Sequence, residues 1–368
     1  MKNTKHILIL DSIPSMSGSK VATQNILASL TKDKLKLTVL THDESAWQAP
    51  EQQTQSIHEP PFLTQKQHGA GYLLRHFVLF LNILWVRIKF GKIDLSVGAS
   101  DPSNDLAIYL YQFLFNNQVM QLIHEPITPS KTAGHCLREA DAIFYIGSAT
   151  DSINQALKLI SSSLKQLKRE GVVIKPFING LPSTNWPSAV TDYQRPHILW
   201  AASLLKWKGL DTLVSALKRF SLVHRPESHI CYIRPKQMKL EISQAPIKMP
   251  NVNWHESPEN LDEIRQQTNV FISTSDREPF GLSILEAMAA GHCVFIPKDG
   301  AYWDHQLIED EHCIKYLPGS AQDLNLQLRA VIKHPERIQK LGLAAQKIAK
   351  NYQAEKLYYN IVQFIEVG

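Results

Sequence analysis

Short apolar runs alternate with helical patterns along most of the chain. An apolar run from His6 to Leu10 precedes a helical pattern at 20–30, and a second apolar run follows at 35–41. Two runs of strand length on either side of a helical pattern are typical of a β-α-β unit. The clearest unit of this kind spans Asn269 to Pro297, where two apolar runs enclose a polar loop and a helix. The pattern predicts an α/β fold with parallel sheets, in which ligands bind beyond the carboxyl ends of the strands.

The loop of this last unit supplies two carboxylates, Glu278 and Glu286. If the helix begins near Leu282, the backbone N–H groups of Gly281, Leu282 and Ser283 have no partners within the helix and lie at the positive end of its dipole. A phosphate is the expected ligand at this helix end, and Gly281 has no side chain to block the approach of a phosphate. Glu286, about one turn further on, can accept hydrogen bonds from the vicinal hydroxyls of a sugar. The two positions together predict a nucleoside diphosphate ligand.

The run from Glu278 to Glu286, EPFGLSILE, followed by AMAAG, resembles the E-x7-E motif of retaining glycosyltransferases of family four. That family has the GT-B fold, with two Rossmann-like doubly wound domains facing a central cleft. The resemblance implies that Glu286 holds the nucleotide ribose, that the segment from Phe280 to Ser283 holds the diphosphate and that Glu278 lies at the donor sugar. The structural alternative makes Glu286 a solvated helix residue and Gly281 a turn.

A chain of 368 residues is too long for one ordinary core and fits two domains. The resemblance implies an N-terminal Rossmann-like acceptor domain at 1–181 and a C-terminal Rossmann-like donor domain at 197–350. The segment 182–196, which contains several prolines, is the predicted linker. The amphipathic tail, 351–368, is expected to be a helix that crosses back to the N-terminal domain.

Two candidate residues precede the linker. His124 follows an apolar run at 119–123, so it is expected at a carboxyl strand end. The resemblance implies a catalytic contact with the donor sugar, and the alternative is a structural histidine. Gly18 lies in a loop after the first strand, with Ser19 where the family usually has a second glycine. Gly18 either approaches a phosphate or the acceptor, or forms a tight turn.

The second domain begins with an apolar run at 198–201 and continues into a segment that contains Lys206 and Lys208. The resemblance implies that Lys208, which precedes a glycine, binds the diphosphate. The family's arginine position is occupied by Ser203. That departure removes one of two cations expected to offset the charge of the leaving group. Lys206 is a candidate substitute, although its spacing differs.

The segment 71–93 contains four basic residues and no acid. Its apolar run is judged too short, and its flanks too charged, for a spanning helix. It is either an interfacial helix that contacts anionic lipid or a core-facing helix with a basic outer edge. The polar segment 46–67 is predicted to be mostly an exposed connection.

A hydrophobic content of 44% and a net charge of +5 describe a globular protein and do not indicate a nucleic-acid binder. The four cysteines lie far apart and are expected to be buried, reduced thiols. With no apolar leader segment after Met1, the expected location is cytoplasmic, at the inner face of the cytoplasmic membrane if the interfacial helix binds there.

The resemblance implies a retaining glycosyltransferase that needs no cofactor and moves a sugar from a nucleotide-diphosphate donor to a glycan or lipid-linked acceptor, in bacterial surface polysaccharide or glycolipid synthesis. The donor is of the UDP or GDP type. No DxD-like acidic pair ends a strand, so no metal site is predicted. The alternatives are a catalytically impaired nucleotide-sugar-binding or scaffold subunit and a nucleotide-sugar epimerase.

Overall fold

The chain forms two compact units, which comprise Met1–Asn179 with Leu357–Gly368, and Gly180–Lys356. The computed structural model describes residues 4–14, 17–31, 34–47, 52–64, 66–235 and 240–367. The predicted linker, 182–196, lies within the second unit, where the Val190 N–H donates to the Ala290 carbonyl at 2.9 Å. The end of the tail belongs to the first unit.

The first unit contains a seven-stranded parallel sheet in the order β3-β2-β1-β4-β5-β6-β7. Its strands are β1 Lys5–Asp11, β2 Leu35–Thr41, β3 Gln52–Ser56, β4 Leu95–Gly98, β5 Gln118–Ile123, β6 Ala142–Ile146 and β7 Val173–Phe177. Its helices are α1 Gly18–Ala28, α2 Gly69–Phe90, α3 Leu106–Phe115, α4 Lys131–Glu139, α5 Thr150–Lys158, α6 Leu164–Arg169 and the last helix of the chain, α14 Tyr359–Val367. The strand order reverses between β1 and β4, which places a switch point at their carboxyl ends.

The second unit contains a six-stranded parallel sheet in the order β10-β9-β8-β11-β12-β13. Its strands are β8 His197–Ser203, β9 Glu227–Ile233, β10 Val252–Glu256, β11 Val270–Ile272, β12 Cys293–Pro297 and β13 Cys313–Tyr316. Its helices are α7 Leu210–Lys218, α8 Leu261–Gln266, α9 Leu282–Ala290, α10 Tyr302–Gln306, α11 Ala321–Lys333, α12 Glu336–Ala349 and α13 Ala354–Leu357. Here the order reverses between β8 and β11, so the loops that follow these two strands flank the switch point.

The prediction that 46–67 is mostly an exposed connection missed a strand and a buried side chain. The segment contains β3, a polar edge strand that pairs with β2 through its backbone. It also contains Trp47, which is buried and donates from Nε1 to Asp11 Oδ2 at 2.7 Å. Backbone pairing does not depend on apolar side chains, so the sequence QQTQS gave no hydrophobic period by which to recognise the strand. The four cysteines are buried and free, as predicted.

A close contact between α9 and α12 depends on Gly342. A Cβ atom added at Gly342 would lie 2.0 Å from the carbonyl oxygen of Gly291, the residue that ends α9. Backbone atoms cannot yield as a flexible side chain could, so the helices would have to separate. We expect Gly342→Ala to lower the free energy of unfolding by about 2 to 4 kcal/mol. Thermal unfolding measures the change. Gly147→Ala is the control, because a Cβ there meets nothing within 4 Å; equal stability of the two variants would contradict the packing argument.

His76 predicts an acid-sensitive first unit. Its side chain is buried in α2, and neither ring nitrogen has a hydrogen-bond partner in the part of the chain that the structure describes. Burial, aided by the neighbouring Arg75 charge, lowers the pKa of His76 to about 3. The folded state therefore binds fewer protons than the unfolded state, and stability falls as the pH drops below the unfolded pKa of about 6.5.

We expect this one group to remove about 2 kcal/mol of stability between pH 7 and pH 5. Urea unfolding at the two pH values measures the difference. In His76→Phe the difference is expected to shrink by that amount, whereas in the control His135→Phe, at an exposed position, it is expected to stay as in the wild type. An identical pH dependence in His76→Phe and the wild type would contradict the assignment.

Candidate functional site

The loops after β8 and β11 are joined side by side at the switch point of the second unit. Trp200, on β8, donates from Nε1 to Thr274 Oγ1 at 2.8 Å, and Thr274 Oγ1 donates to the Lys208 carbonyl oxygen at 2.8 Å. The Asp276 N–H donates to the Trp207 carbonyl oxygen, also at 2.8 Å. These bonds fix the position of Lys208 relative to the loop that leads into α9.

Gly209 allows the two loops to approach each other. Its φ of 72° lies in the left-handed region, and an added Cβ would stand 2.1 Å from the Thr274 carbonyl oxygen. A side chain at this position would combine backbone strain with a clash against backbone atoms. The glycine that identified Lys208 in the sequence is thus required by the geometry of the site.

Lys208 and Glu278 form an ion pair across these loops. The distance from Lys208 Nζ to Glu278 Oε2 is 2.5 Å, and the two side chains are only 18% and 16% exposed. Lys208 Nζ also lies 3.9 Å from the centroid of the Trp207 ring. A lysine held in this way presents a fixed positive charge with limited access to water, which strengthens its attraction for a phosphate. A bound phosphate would compete with Glu278 for this charge.

The amino end of α9 carries three unpaired N–H groups. The helix begins at Leu282 after Gly281, whose φ is 81°. Among the described residues, the N–H groups of Gly281, Leu282 and Ser283 have no hydrogen-bond acceptor, and all three residues are half-buried. An added Cβ at Gly281 would lie 3.0 Å from Glu278 Cγ and 3.0 Å from Ile284 Cδ1. The arrangement has the donors, the helix dipole and the open backbone that an anion needs.

Glu286 is held by an arginine that the sequence did not indicate. Arg265, a buried residue of α8, donates from Nη2 to Glu286 Oε2 at 2.7 Å and from Nη1 to Asp262 Oδ1 at 2.8 Å. Glu286 Oε1 has no hydrogen-bond partner within the described ranges, and the side chain is 21% exposed. Burial raises the pKa of Glu286, and the Arg265 charge opposes the rise. One carboxylate oxygen thus fixes the side chain while the other can accept a hydrogen bond from a ligand.

The ring of Phe280 does not face a ligand. It is buried against Tyr302, Trp303 and Tyr352, with centroid distances of 4.9, 5.3 and 6.2 Å. Trp303 also donates from Nε1 to the Gly281 carbonyl oxygen at 3.3 Å. The ring therefore anchors the loop, and any ligand contact of Phe280 is left to its backbone.

The family's arginine position is occupied by the uncharged side chain of Ser203. Ser203 ends β8 opposite Ile233 and is half-buried. Lys206, the candidate substitute, pairs with Asp211 at 2.8 Å, and both side chains are about half exposed. A surface pair of this kind is weak and can open at little cost. A small pocket is lined in part by Glu278, Ser273, Asp299 and Trp303.

His124, at the carboxyl end of β5 in the first unit, is buried and neutral. Its Nε2 lies 3.0 Å from Thr23 Oγ1, and that hydroxyl donates to the Ser19 carbonyl oxygen at 3.0 Å. The Thr23 hydroxyl has one hydrogen, so Nε2 accepts it in one tautomer of His124 and donates to the hydroxyl in the other. Burial lowers the pKa of His124 to about 4, against a smaller opposing effect of Asn179. Nδ1 is buried, and no described group meets it with hydrogen-bond geometry.

Gly18 is the first residue of α1, and its backbone does not require a glycine. Its φ is outside the left-handed region, and an added Cβ would meet nothing within 4 Å. A tight turn therefore does not explain it. Nearby, Lys20 and Asp11 form a buried pair that was not predicted, with Nζ and Oδ2 3.0 Å apart.

Comparison with known proteins bears on the fold and on the second unit. Residues 187–348 match the family model of glycosyl transferases group 1. HepE from Anabaena, in complex with UDP-glucose, superimposes with a TM-score of 0.73 at 15% identity, over 98% of this chain and 99% of HepE. Sucrose-phosphate synthase from Thermosynechococcus elongatus gives a TM-score of 0.70 at 14% identity, over 98% of each chain. The chain has the GT-B fold.

A curated relative matches over a shorter stretch. The sulfoquinovosyl transferase of Arabidopsis thaliana is 25% identical over 162 residues, which are 43% of this chain and 31% of that protein. The chain thus matches less than a third of that relative's length. Together with the family model, this match supports a glycosyltransferase of the GT-B type. Membership of family four and the separate roles of the site residues stay predictions.

Proposed function

We propose that the protein is a retaining glycosyltransferase of family four that moves a sugar from a nucleotide-diphosphate donor to a glycan or lipid-linked acceptor. The observation that carries the proposal is the arrangement at the switch point of the second unit, where three free N–H groups lie beside the Lys208 and Glu278 pair. A diphosphate satisfies the N–H groups and the lysine, and Glu286 Oε1 is open to a ribose hydroxyl.

In the proposed reaction, the bond between the anomeric carbon and the diphosphate oxygen breaks, and the acceptor oxygen bonds to the same face of that carbon. The acceptor proton passes to the departing diphosphate. Lys208 and the α9 amides offset the charge that develops on the leaving group. Glu278 orients the donor sugar, and His124 contacts that sugar. No metal ion or cofactor is invoked.

The donor nucleotide is of the UDP or GDP type, and UDP is the first to test because HepE is known in complexes with UDP and UDP-glucose. We further propose a cytoplasmic location at the inner face of the cytoplasmic membrane, in bacterial surface polysaccharide or glycolipid synthesis. Four buried, reduced thiols agree with a reducing compartment.

A catalytically impaired binding or scaffold subunit is the second candidate. Ser203 in place of the expected arginine, together with the engagement of Lys206 by Asp211, leaves the site with fewer available cations. Such a protein would bind the nucleotide without transferring the sugar.

The test is incubation of the protein with UDP- and GDP-linked hexoses and a panel of glycan and lipid-linked acceptors, with and without a chelator. We expect acceptor-dependent release of the nucleoside diphosphate, a product with the donor's anomeric configuration by NMR and no effect of the chelator. Nucleotide binding without release across the panel would favour the scaffold subunit. Sugar conversion without any acceptor would favour an epimerase.

A further inference from the structure

Helices α2 and α3 leave a large apolar surface uncovered on the first unit. We define the α2–α3 surface by six side chains that are 46% to 88% exposed: Phe77, Leu81, Trp85 and Ile88 on α2, and Phe113 and Leu114 on α3. The helices are neighbours, because Arg87 Nη1 donates to Tyr111 Oη at 3.0 Å and its guanidinium lies 4.6 Å from the Phe115 ring centroid. Contiguous exposed apolar surface of this kind marks an interaction site.

By length and composition, α2 is the one helix in the described part of the chain that could cross a membrane. The expectation that its apolar run is too short and its flanks too charged for a spanning helix was therefore wrong as to length and composition: the helix has 22 residues. Its other face, however, is bound to the first unit by polar contacts. Arg75 Nε lies 3.2 Å from Glu59 Oε1, and Asn82 exchanges hydrogen bonds with the backbone of His58 at 2.8 and 3.0 Å. A helix held in this way presents only its outer face to lipid.

The charges around the α2–α3 surface favour an anionic partner. Neither α2 nor α3 contains an acidic residue. Lys89 is exposed near the end of α2, and the Lys92 side chain, which pairs with Asp94 at 3.3 Å, is 71% exposed. Basic groups at the edge of an apolar helix face are typical of helices that lie in the headgroup region of an anionic bilayer.

We propose that the α2–α3 surface binds the interface of a bilayer that contains anionic lipid, with its apolar side chains inserted among the acyl chains and Lys89 and Lys92 at the headgroups. The inference rests on the proposed transfer to a lipid-linked acceptor and deepens it, because it adds α3 to the contact and limits α2 to an interfacial position. A water-soluble protein partner would have to cover this apolar face, and it would find no acidic residue on α2 or α3 to pair with its basic groups.

The test is flotation of the full chain with vesicles of phosphatidylcholine, with and without phosphatidylglycerol. We expect binding to the anionic vesicles that weakens with added salt, and little binding to the neutral ones. A double variant, Ile88→Glu with Phe113→Glu, is expected to lower the partition coefficient more than tenfold. Lys89→Glu is expected to lower it about tenfold.

Val223→Glu, in the second unit, is the matched control, since Val223 and Phe113 are each 88% exposed. The control is expected to bind vesicles as the wild type does. Acyl-chain-brominated lipid is expected to quench tryptophan fluorescence in the wild type and much less in Trp85→Phe. UDP and GDP binding, measured separately, is expected to be unchanged in every variant, so a failed donor site and a failed membrane surface give different results.

Equal vesicle binding by the double variant and Val223→Glu would overturn the proposal. So would a concentration-dependent dimer that the double variant abolishes in the absence of lipid, because a second copy of the chain would then cover the surface.

Discussion

Lys208→Ala is expected to lower kcat by about a hundredfold to a thousandfold, the usual loss when one preorganised group that stabilises developing charge is removed. The reason is geometric. The lysine is fixed by the contact between two loops, its Nζ is 2.5 Å from Glu278 Oε2, and it has little access to water. Steady-state rates with a donor and an acceptor from the panel measure the loss. Some loss of stability is also expected, because the variant leaves the mostly buried Glu278 carboxylate without its partner.

Lys206→Ala is the matched control for this prediction. The two lysines lie two positions apart on the same loop, but the Lys206 side chain is about half exposed and pairs with Asp211. We expect Lys206→Ala to keep most of the wild-type rate. Equal losses in the two variants would show that neither side chain is specifically placed at the leaving group, and an unchanged rate in Lys208→Ala would remove Lys208 from the site.

Glu286→Ala is expected to weaken binding of the donor nucleotide by roughly tenfold to a hundredfold, because a hydrogen bond to a charged group contributes about 1.5 to 3 kcal/mol. The same change leaves Arg265 buried without its partner, at a cost to stability. Glu286→Gln retains the shape of the side chain and is expected to lose less in both respects. Calorimetric titration with the preferred nucleoside diphosphate measures the affinity.

The ribose contact can be separated from general damage to the site. The wild type is expected to prefer a nucleoside diphosphate over its 2′,3′-dideoxy analogue, because the analogue lacks the hydroxyls that would donate to Glu286 Oε1. Glu286→Ala is expected to lose this preference and to bind both nucleotides with the same weak affinity. If the variant still discriminated between them as the wild type does, the ribose would lie elsewhere.

The features of the site that depend on residues adjacent in the sequence could be predicted. The start of α9 was expected near Leu282, and the structure begins the helix at Leu282. The resemblance pointed to Lys208 as a lysine before a glycine, and Gly209 is required by the approach of Thr274. These features are encoded within a few residues of one another.

Features that join distant segments were missed. Arg265 lies on a different helix from Glu286, and nothing in the spacing of α8 indicates that its guanidinium reaches a carboxylate 21 residues away. The strand β3 was missed because it is polar and held by backbone bonds. The α2 pattern was ambiguous because both faces of the helix are apolar, one packed in the first unit and the other exposed. Only packing distinguishes these cases.

A crystal structure of the protein with its preferred nucleoside diphosphate would show which groups hold the diphosphate and the ribose. We expect diphosphate oxygens within hydrogen-bond distance of the N–H groups of Gly281, Leu282 and Ser283, with Lys208 Nζ turned from Glu278 to the diphosphate and a ribose hydroxyl on Glu286. A nucleotide bound elsewhere in the chain, with the amino end of α9 occupied only by water, would contradict this expectation.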